Sequence, residues 1–337
     1  MVDNIEWSNL GFAYMKTPYN IRCRYIGGKW GELEIHSEDT ITMNIGATCL
    51  HYGQEAFEGL KAFRCKDGKV RIFRMEENAK RLLSSAQYLK MAEPSVEMFC
   101  EAVVKAVQLN EEYIPPFDSG ASLYIRPLLI GLGAQVGVKP ASEYEFIVFV
   151  TPVGPYFKKE GATMKAVIDR KHDRAAPHGT GHVKVGGNYA ASLTPAEIGH
   201  EQGYDSVFYL DPKENKYIDE CGAANFFGIK DGKYITPASS SVLPSITNKS
   251  LCTLAEDMGL AVERRHIPVE ELATFEEAGA CGTAAVITPI STIHDPDNNK
   301  VYDYGEKPRP WSMKLYKRLL AIQHGEEPDK FGWVTVL

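Results

Sequence analysis

The feature that most constrains this fold is the pairing of strand-like segments across tight turns. Asp67-Gly68 separates two such segments, and Asp231-Gly232 separates two more in the second half of the chain. An Asp-Gly pair in this setting is a strong hairpin signal, because the favoured two-residue turns require positive φ values that these residues tolerate. A long apolar, β-rich run over residues 122–130 predicts a buried strand. Sheets made from hairpins are therefore expected to form much of the fold.

Helical periodicity marks four further segments. Residues 76–91 and 96–108 each carry their apolar side chains along one stripe, which predicts two helices packed on a core. Residues 249–258 repeat the pattern and are followed by Gly259, a residue typical of the position after a helix. A last helix is predicted over 311–323. Strands interleaved with a few short helices place the chain in the α/β class, and more narrowly in the α+β class.

A domain boundary is indicated after the apolar run 146–150. Residues 151–163 contain two prolines, two glycines and two lysines, a composition typical of a segment that crosses between domains. A chain of 337 residues has room for roughly two domains. We therefore predict a smaller α+β N-terminal domain over 1–155, an interdomain loop over 156–163 and a larger C-terminal domain over 164–337.

Composition excludes several classes of partner. The 37 basic and 44 acidic residues leave a net charge of −7, which is unfavourable for binding nucleic acid. The longest uncharged stretch, 278–293, contains Gly, Thr, Ser and Pro and is too polar to span a bilayer. The seven cysteines are scattered without a Cys-x-x-Cys pair, as in proteins that keep their thiols reduced. With no secretion signal in the first residues, we expect a cytoplasmic protein without nucleic-acid or membrane partners.

The segment over residues 178–193 is the least ordinary in the chain, because it sets Lys184 among four glycines. Glycine lets a backbone approach a ligand closely, and a desolvated lysine can attack a carbonyl to form a Schiff base. A flexible surface loop with a solvated lysine is the alternative that composition alone favours. His178 and His182 are four residues apart, but the glycines argue against a helix that would present both to a metal. With no third ligand apparent, we predict no metal site.

The run from Lys184 to Tyr189 is similar to the pyridoxal-phosphate lysine segment of the branched-chain amino acid aminotransferases, a fold-type-IV family. Further matches follow in family order across nearly the whole chain, at 51–64, 123–129, 152–157, 218–227, 243–248 and 282–290. The resemblance implies a two-domain fold-type-IV enzyme that uses pyridoxal 5'-phosphate. Its reaction would be ping-pong transamination between leucine, isoleucine or valine and 2-oxoglutarate.

Three residues acquire cofactor roles through this resemblance. Lys184 would form the Schiff base and move the substrate's Cα proton, and Tyr189 would donate its hydroxyl to the phenolate oxygen of the ring. Glu220 would stand beside the pyridine nitrogen, which must be protonated for the ring to accept electrons. The residues alone leave other interpretations open. Glu220 could be an exposed carboxylate of a turn, and Tyr189 could be a core tyrosine with a satisfied hydroxyl.

The phosphate group needs a cation and backbone N–H donors. Ile246 and Thr247 directly precede the helix predicted from Lys249, and a helix N-terminus binds anions, although Thr247 could equally be only the N-cap. The resemblance adds Thr283 as another phosphate contact and Arg81 as the cation. Periodicity alone would make Arg81 a solvated surface arginine, because it lies away from the apolar stripe of its helix.

Substrate recognition is expected at Tyr124 and Arg126, which alternation on a strand directs to the same face. An arginine beside a tyrosine suits the side-chain carboxylate of glutamate, which is present in one half-reaction and absent in the other. The alternative is a structural arginine paired with a core carboxylate. Phe57, Tyr156 and Ala284 are expected to line the pocket.

The resemblance also implies an assembly. The family's active site is completed by a second subunit, so a homodimer or a multiple of it is expected. Rival functions remain open at this point. They are a D-amino-acid aminotransferase or an aminodeoxychorismate lyase of the same fold, and a non-catalytic relative that serves as a binding protein.

Overall fold

Two β-sheets organise the chain, one in each of two structural units. The structure, a computed structural model, describes residues 5–154, 162–176, 178–305 and 309–337. The first unit comprises Met1–Tyr156, Val183–Gly186 and Ala321–Leu337, and the second comprises Phe157–His182 and Gly187–Leu320. Lys184, which the sequence placed in the second domain, thus groups with the first unit. The predicted domain boundaries at 156–163 stay a prediction.

The strands of the described residues are numbered in chain order. They are β1 (Asn20–Ile26), β2 (Lys29–Trp30), β3 (Glu34–His36), β4 (Glu55–Phe57), β5 (Leu60–Arg64), β6 (Val70–Phe73), β7 (Ser122–Gly131), β8 (Tyr144–Val153), β9 (Met164–Asp169), β10 (Ser206–Leu210), β11 (Ile218–Cys221), β12 (Ala224–Lys230), β13 (Lys233–Pro237), β14 (Ala261–Arg265), β15 (Glu277–Gly282), β16 (Val286–Asp295), β17 (Lys300–Asp303) and β18 (Val334–Val336).

The α-helices of the same residues are numbered likewise. They are α1 (Thr48–Tyr52), α2 (Met75–Tyr88), α3 (Val96–Leu109), α4 (Gly186–Ala191), α5 (Leu193–Glu201), α6 (Ile246–Asp257) and α7 (Pro310–Gln323). Short 3-10 helices lie at Trp7–Asn9, Glu111–Tyr113, Phe117–Ser119, Val269–Thr274 and Pro296–Asn298.

The sheet of the first unit is antiparallel wherever its described strands pair. Its order is β18-β6-β5-β7-β8-β1-β2, with β3 paired to β1 and β4 paired to β7. Helices α2 and α3 pack on this sheet and bury their apolar stripes in one core, to which Leu82, Phe99 and Phe146 belong. An antiparallel sheet covered by helices is the α+β arrangement predicted from the sequence.

The sheet of the second unit is mixed. Its order is β11-β10-β9-β16-β15-β12-β13-β14, with β17 paired to β16. Strand β9 runs parallel to β10 and β16, and β13 runs parallel to β14, whereas the other pairs are antiparallel. Helix α5 packs on β9 and β10, and α6 packs on β14 and β15. Within the described parts of the chain, no helix is long and apolar enough to cross a membrane.

Both predicted hairpins are confirmed. Strands β5 and β6 pair antiparallel across Asp67-Gly68, where Gly68 has a φ of 79°. Strands β12 and β13 pair across Asp231-Gly232, with φ values of 49° and 68° at the two turn residues. Positive φ at both central positions, as at Asp231-Gly232, is what a two-residue turn between twisted strands requires; at Asp67-Gly68 only the glycine has it, and the loop is longer, with the N–H of Gly68 bonded to the carbonyl of Cys65. The short-range signal was therefore sufficient to place these turns.

The predicted helices are confirmed, with one start displaced. The helix predicted from Lys249 begins at Ile246, because the side chain of Ser245 accepts a hydrogen bond from the backbone N–H of Asn248 at 3.1 Å. An N-cap residue satisfies one of the unpaired amides of the first turn and thereby sets where the helix begins. The predicted end is correct, since Gly259 follows the helix with a φ of 90°.

A second N-cap provides a test of local stability. Ser95 precedes α3 and accepts a hydrogen bond from the N–H of Met98 at 3.1 Å, in an exposed position. We expect Ser95→Ala to lower the free energy of unfolding of the first unit by about 1 kcal/mol, because an amide of the first turn loses its partner. Denaturant unfolding followed by circular dichroism measures the change. Ser95→Asp retains an acceptor and should behave like the unaltered protein; equal losses in both variants would contradict the capping role.

Candidate active site

The segment that carries Lys184 is bonded to strand β4 on both sides. The N–H of Phe57 donates to the carbonyl oxygen of Lys184 at 3.1 Å, and the N–H of Gly186 donates to the carboxylate of Glu55. The N–H of Lys184 donates to Ser85 Oγ at 3.2 Å, and its Nζ lies 4.6 Å from the centre of the Phe57 ring. These contacts contradict the alternative of a flexible surface loop. The lysine lies half-buried, on a fixed backbone.

Two of the glycines in this segment are explained by close packing within the protein. A Cβ atom at Gly186 would lie 2.5 Å from a carboxylate oxygen of Glu55, and one at Gly181 would overlap the backbone of Ser241. Real Cβ contacts do not reach such distances. At Gly181 the neighbour is backbone, so only glycine fits there, whereas at Gly186 a larger residue would displace the Glu55 carboxylate. At Gly181 and Gly186 the group that approaches closely belongs to the chain itself, and the predicted approach to a ligand stays a prediction.

Arg126 and Tyr124 lie side by side on one face of β7, as alternation predicts. Arg126 Nη2 donates to the hydroxyl of Tyr124 at 3.1 Å, and the guanidinium lies 4.8 Å from the centre of the Phe57 ring. Its buried Nε has no hydrogen-bond partner, and no carboxylate lies within 4.0 Å of the guanidinium, in the described ranges of the chain. The alternative of a core ion pair at Arg126 is therefore wrong. A half-buried cation to which no carboxylate of the described chain is directly bonded is suited to receive one from a ligand.

Close packing also holds Tyr124 in place. A Cβ atom at Gly59 would collide with the tyrosine hydroxyl, so the ring lies directly over this residue. The hydroxyl that accepts from Arg126 thus has a fixed position. Glycine at 59 is a requirement of this contact rather than of a turn.

Arg81 is not the solvated surface residue that periodicity predicts. Only 12% of its side chain is exposed, and its Nε and Nη2 donate to the two oxygens of Glu58 at 2.8 and 2.7 Å. Glu58 is fully buried and also accepts from Asn78 Nδ2 at 2.8 Å. Glu58 was not predicted as the partner of Arg81. A usable signal existed, because Asn78 and Arg81 are three apart on one helix and so present two donors in the same direction.

Glu220 is a buried strand residue and not an exposed carboxylate of a turn, so that alternative is wrong. It lies on β11 with 3% of its surface exposed. One oxygen accepts from Asn225 Nδ2 at 2.9 Å and from the N–H of Leu243 at 3.0 Å, and the other forms an ion pair with Arg174 Nε at 2.5 Å. Arg174 and Asn225 were missed, because neither follows a local pattern. Together they supply the partners that a buried carboxylate requires.

Tyr189 lies on α4, a helix that begins two residues after Lys184. Asn188, its neighbour, bonds back to the preceding turn: Thr180 Oγ1 donates to Asn188 Oδ1 and Asn188 Nδ2 donates to the Thr180 carbonyl, both at 2.7 Å. This pair fixes the start of α4 and with it the position of Tyr189, which is half-buried. The role of its hydroxyl stays a prediction.

The first turn of α6 offers backbone amides to an anion. Ser245 is the N-cap, so Thr247 is the second residue of the helix and the alternative that it is only the cap is wrong. Within the described residues, the structure gives no hydrogen-bond partner to the N–H groups of Ile246 and Thr247. A helix of 12 residues concentrates partial positive charge at this end. The arrangement is one that binds phosphate groups in many proteins.

Thr283 and Ala284 occupy the tight turn that joins β15 to β16. Gly282 pairs with Val286 across the turn, and Val286 has a φ of 61°. This value is an outlier for a β-branched residue and costs about 1–3 kcal/mol, which the rest of the sheet must offset. Strain of this kind is concentrated at functional sites, and Thr283 and Ala284 are both half-buried here.

The predicted site residues fall into both units. Phe57, Arg81, Tyr124, Arg126 and Lys184 belong to the first, whereas Tyr189, Glu220, Ile246, Thr247, Thr283 and Ala284 belong to the second. Tyr156, predicted as a pocket wall, lies outside the described residues. In the ranges that the structure describes, no three His, Cys, Asp or Glu side chains are grouped so that they could hold a metal ion.

Comparisons with known proteins identify the family of the chain. The sequence model of the family described as amino-transferase class IV matches residues 55–293. A branched-chain-amino-acid aminotransferase of Helicobacter pylori is 51% identical to the chain and the match covers 99% of this chain and 98% of the relative. One from Haemophilus influenzae is 46% identical, covering 98% of each.

Solved structures give the same result. The branched-chain amino acid aminotransferase of Escherichia coli matches with a TM-score of 0.79 at 28% identity, over 95% of this chain and 99% of that one. The enzyme of Thermobaculum terrenum in its pyridoxal-phosphate holo-form has a TM-score of 0.78, at 25% identity over 96% and 99% of the two chains. The chain belongs to the class IV aminotransferase family. The family resemblance and the fold-type-IV architecture expected from the sequence motifs are thereby confirmed.

The carboxyl group next to Glu220 gives a pH-dependent test. Burial raises the pKa of Asp219 to about 6, and its Oδ1 has no hydrogen-bond partner in the described residues. A raised native pKa means that the folded state binds the proton more tightly than the unfolded state. Stability should therefore fall as the pH rises from about 4 to 6 and stay lower above this window, by up to about 3 kcal/mol.

We expect Asp219→Asn to remove this fall and to be more stable than the unaltered protein at pH 7. Denaturant midpoints measured between about pH 4 and 7.5 would show it. Asp297→Asn, a change at an exposed aspartate of the same unit, is the matched control and should leave the profile unchanged. A profile for Asp219→Asn that retains the full decline would show that another group is responsible.

Proposed function

We propose that this chain catalyses transamination between the branched-chain L-amino acids leucine, isoleucine and valine and 2-oxoglutarate, by a ping-pong mechanism with pyridoxal 5'-phosphate. The observation that carries the proposal is Arg126, whose guanidinium lies against the ring of Phe57 and has no carboxylate partner among the described residues. An apolar surface and an unpaired cation at one place suit a substrate pair in which only one side chain is charged. The relatives named for this activity support the same conclusion.

The residues present fit the cofactor. The amides of Ile246 and Thr247, which no described group engages, suit a phosphate group, and the buried carboxylate of Glu220 suits a protonated pyridine nitrogen. Pyridoxal phosphate, when bound, supplies a carbonyl carbon that takes up the amino group and a ring that accepts the electron pair released at Cα. We assign the remaining phosphate contacts to Arg81 and Thr283.

Lys184 would hold the cofactor through its Nζ as long as no substrate amine is bound. The freed amine then moves the proton that leaves the substrate Cα. Proton transfer requires that Nζ reach a defined position. The hydrogen bonds from the Lys184 backbone to Phe57 and Ser85 fix the Cα atom from which the side chain extends. Tyr189 donates its hydroxyl to the ring oxygen of the cofactor.

Glu220 keeps the ring nitrogen protonated. This task needs a carboxylate with a fixed direction, and the ion pair with Arg174 together with two N–H donors holds both of its oxygens in place. The same contacts fix its direction. Arg174 and Asn225 therefore serve the reaction by orienting Glu220.

The substrate side chain lies against Phe57 and Arg126. With glutamate or 2-oxoglutarate, Arg126 binds the side-chain carboxylate and Tyr124 orients the guanidinium through its hydroxyl. With a branched-chain substrate, the aromatic rings of Phe57 and Tyr124 provide the apolar surface. The family resemblance also assigns substrate-binding roles to Tyr156 and Ala284.

We further propose that the enzyme is a cytoplasmic homodimer or a multiple of it. Four large apolar side chains, Ile45, Leu50, Val136 and Val138, are exposed on two neighbouring segments of the first unit. The segments are joined by a hydrogen bond from the N–H of Gln135 to the carbonyl of Gly46 at 3.0 Å. A patch of this kind marks a protein interface, and a second copy of the chain is the partner that we assign to it.

The attachment of the cofactor is tested by reducing the holoenzyme with borohydride and mapping its peptides. We expect the pyridoxyl adduct on the peptide that contains Lys184. This residue is the only lysine of its segment, and its backbone is hydrogen-bonded to β4. Lys184→Ala should lose turnover by several orders of magnitude, since one residue both holds the cofactor and moves the proton. An adduct on Lys171 or Lys165 would show that Lys184 is not the cofactor lysine.

The substrate class is tested by measuring each half-reaction separately. The unaltered enzyme should convert L-leucine and L-glutamate, and conversion of D-alanine or aminodeoxychorismate in their place would identify another reaction of the fold. If none of these compounds changes the visible absorbance of the holoenzyme, the chain would be a binding protein. In Arg126→Met, we expect the glutamate half-reaction to lose about 1.5–3 kcal/mol more transition-state stabilisation than the leucine half-reaction, the usual contribution of a charge-assisted hydrogen bond.

The matched control is Arg64→Met, because Arg64 belongs to the same sheet but pairs with the exposed Glu111. This variant should leave both half-reactions unchanged. Equal damage to the two half-reactions in Arg126→Met would show that Arg126 supports the fold or binds the α-carboxylate that both substrates share.

A further inference from the structure

Glu55 is a charged residue near Lys184 to which the proposed reaction assigns no role. It is the first residue of β4, and its carboxylate accepts the backbone N–H of Gly186, two residues after Lys184. A Cβ atom at Gly186 would lie 2.5 Å from the carboxylate oxygen, so the absence of a side chain at this position leaves room for the contact. At the other end of β4, the N–H of Phe57 bonds to the carbonyl of Lys184 at 3.1 Å. The lysine segment is thus held by a side chain and by a backbone amide of the same short strand.

The charge of Glu55 is placed close to two cations. Burial raises the pKa of its carboxyl, whereas the N–H of Gly186 and the positive charges of Arg126 and Lys184 act in the opposite direction. No ion pair within 4.0 Å is formed by Glu55 in the described parts of the chain. Its negative charge therefore acts on both cations across a longer distance.

Phe57 explains how one carboxylate can affect both cations. Residues 55 and 57 of a strand point to the same side, and the ring of Phe57 lies 4.6 Å from Lys184 Nζ and 4.8 Å from the guanidinium of Arg126. The two cations thus lie against one ring, on the side of the strand to which Glu55 belongs. Electrostatic interactions in such a half-buried place are less screened than at the surface.

We propose that Glu55 is a positioning residue for Lys184 and a determinant of the balance between charged and apolar substrates. Its carboxylate holds the lysine backbone at Gly186. Its negative charge partly compensates the positive charge of Arg126. The guanidinium is therefore stabilised while an apolar side chain occupies the pocket. For the same reason, Arg126 binds the carboxylate of glutamate less tightly than it would without Glu55. This inference rests on the proposed roles of Lys184 and Arg126.

Two variants separate the two roles. In Glu55→Gln, the amide oxygen still accepts from Gly186, but the charge is gone. We expect KM for glutamate to fall roughly threefold to tenfold while KM for leucine does not fall. Only glutamate has a side-chain carboxylate, which the uncompensated positive charge of Arg126 would attract more strongly. The pH at which the visible absorbance of the holoenzyme changes should fall, because the protonated nitrogen of Lys184 loses a nearby anion.

In Glu55→Ala, the acceptor is lost as well. We expect kcat to fall in both half-reactions and the cofactor to dissociate more readily in equilibrium dialysis, because the Lys184 backbone is no longer held at Gly186. The matched control is Glu145→Gln, which removes a buried carboxylate of the same sheet that pairs with Arg24. It should change neither the substrate ratio nor the absorbance profile.

The outcomes distinguish this inference from the proposed function. If the unaltered enzyme does not convert L-leucine, the proposed function fails and Glu55 loses its assigned role with it. If it does, and Glu55→Gln leaves both the ratio of KM values and the absorbance profile unchanged, only the inference about Glu55 is overturned. Should Glu55→Ala fail to fold, Glu55→Gln alone decides the matter, since it preserves the hydrogen bond.

Discussion

The candidate site depends on the bonding of a four-residue segment to a three-residue strand. Residues 183–186 lie along β4, where the Phe57 amide donates one hydrogen bond to them and the Glu55 carboxylate accepts another. Backbone hydrogen bonds leave little freedom, so the Cα of Lys184 is fixed relative to Phe57 and, because β4 pairs with β7, relative to β7 as well. Arg126 and Tyr124 are on β7, so a single network of main-chain bonds relates the lysine to the two residues that we propose to bind the substrate.

The charged residues of the site differ in how their burial is compensated. Arg81 is neutralised by Glu58, and Glu220 by Arg174, in both cases with distances of 2.5 to 2.8 Å and additional N–H donors on the carboxylate. Removing one partner from such a pair leaves an uncompensated buried charge, which makes these residues poorly suited to change partners during a reaction. They are fixed parts of the site that orient what binds there.

Local sequence patterns predicted much of the fold and less of the site. The Asp-Gly turns and the ends of α3 and α6 depend on neighbouring residues, and the predictions there are largely correct. The start of α6 was missed by three residues because the single hydrogen bond of Ser245 decides it. Family motifs named Arg81 and Glu220 but not Glu58 or Arg174, since each pair joins segments far apart in the sequence, and no periodicity records which carboxylate meets which arginine.

Arg126 differs from the other half-buried arginines of the candidate site in the groups that surround it. It has aromatic rings where Arg81 and Arg174 have carboxylates, and its Nε is left without a partner in the described residues. Aromatic faces stabilise a guanidinium without competing for its hydrogen bonds, because the attraction comes from the ring quadrupole. The cation can therefore remain in place both with and without a substrate carboxylate. A fully paired arginine would have to give up its ion pair to bind a substrate carboxylate, and an exposed one would admit water next to an apolar side chain, so the stacked arrangement suits the two half-reactions that we propose.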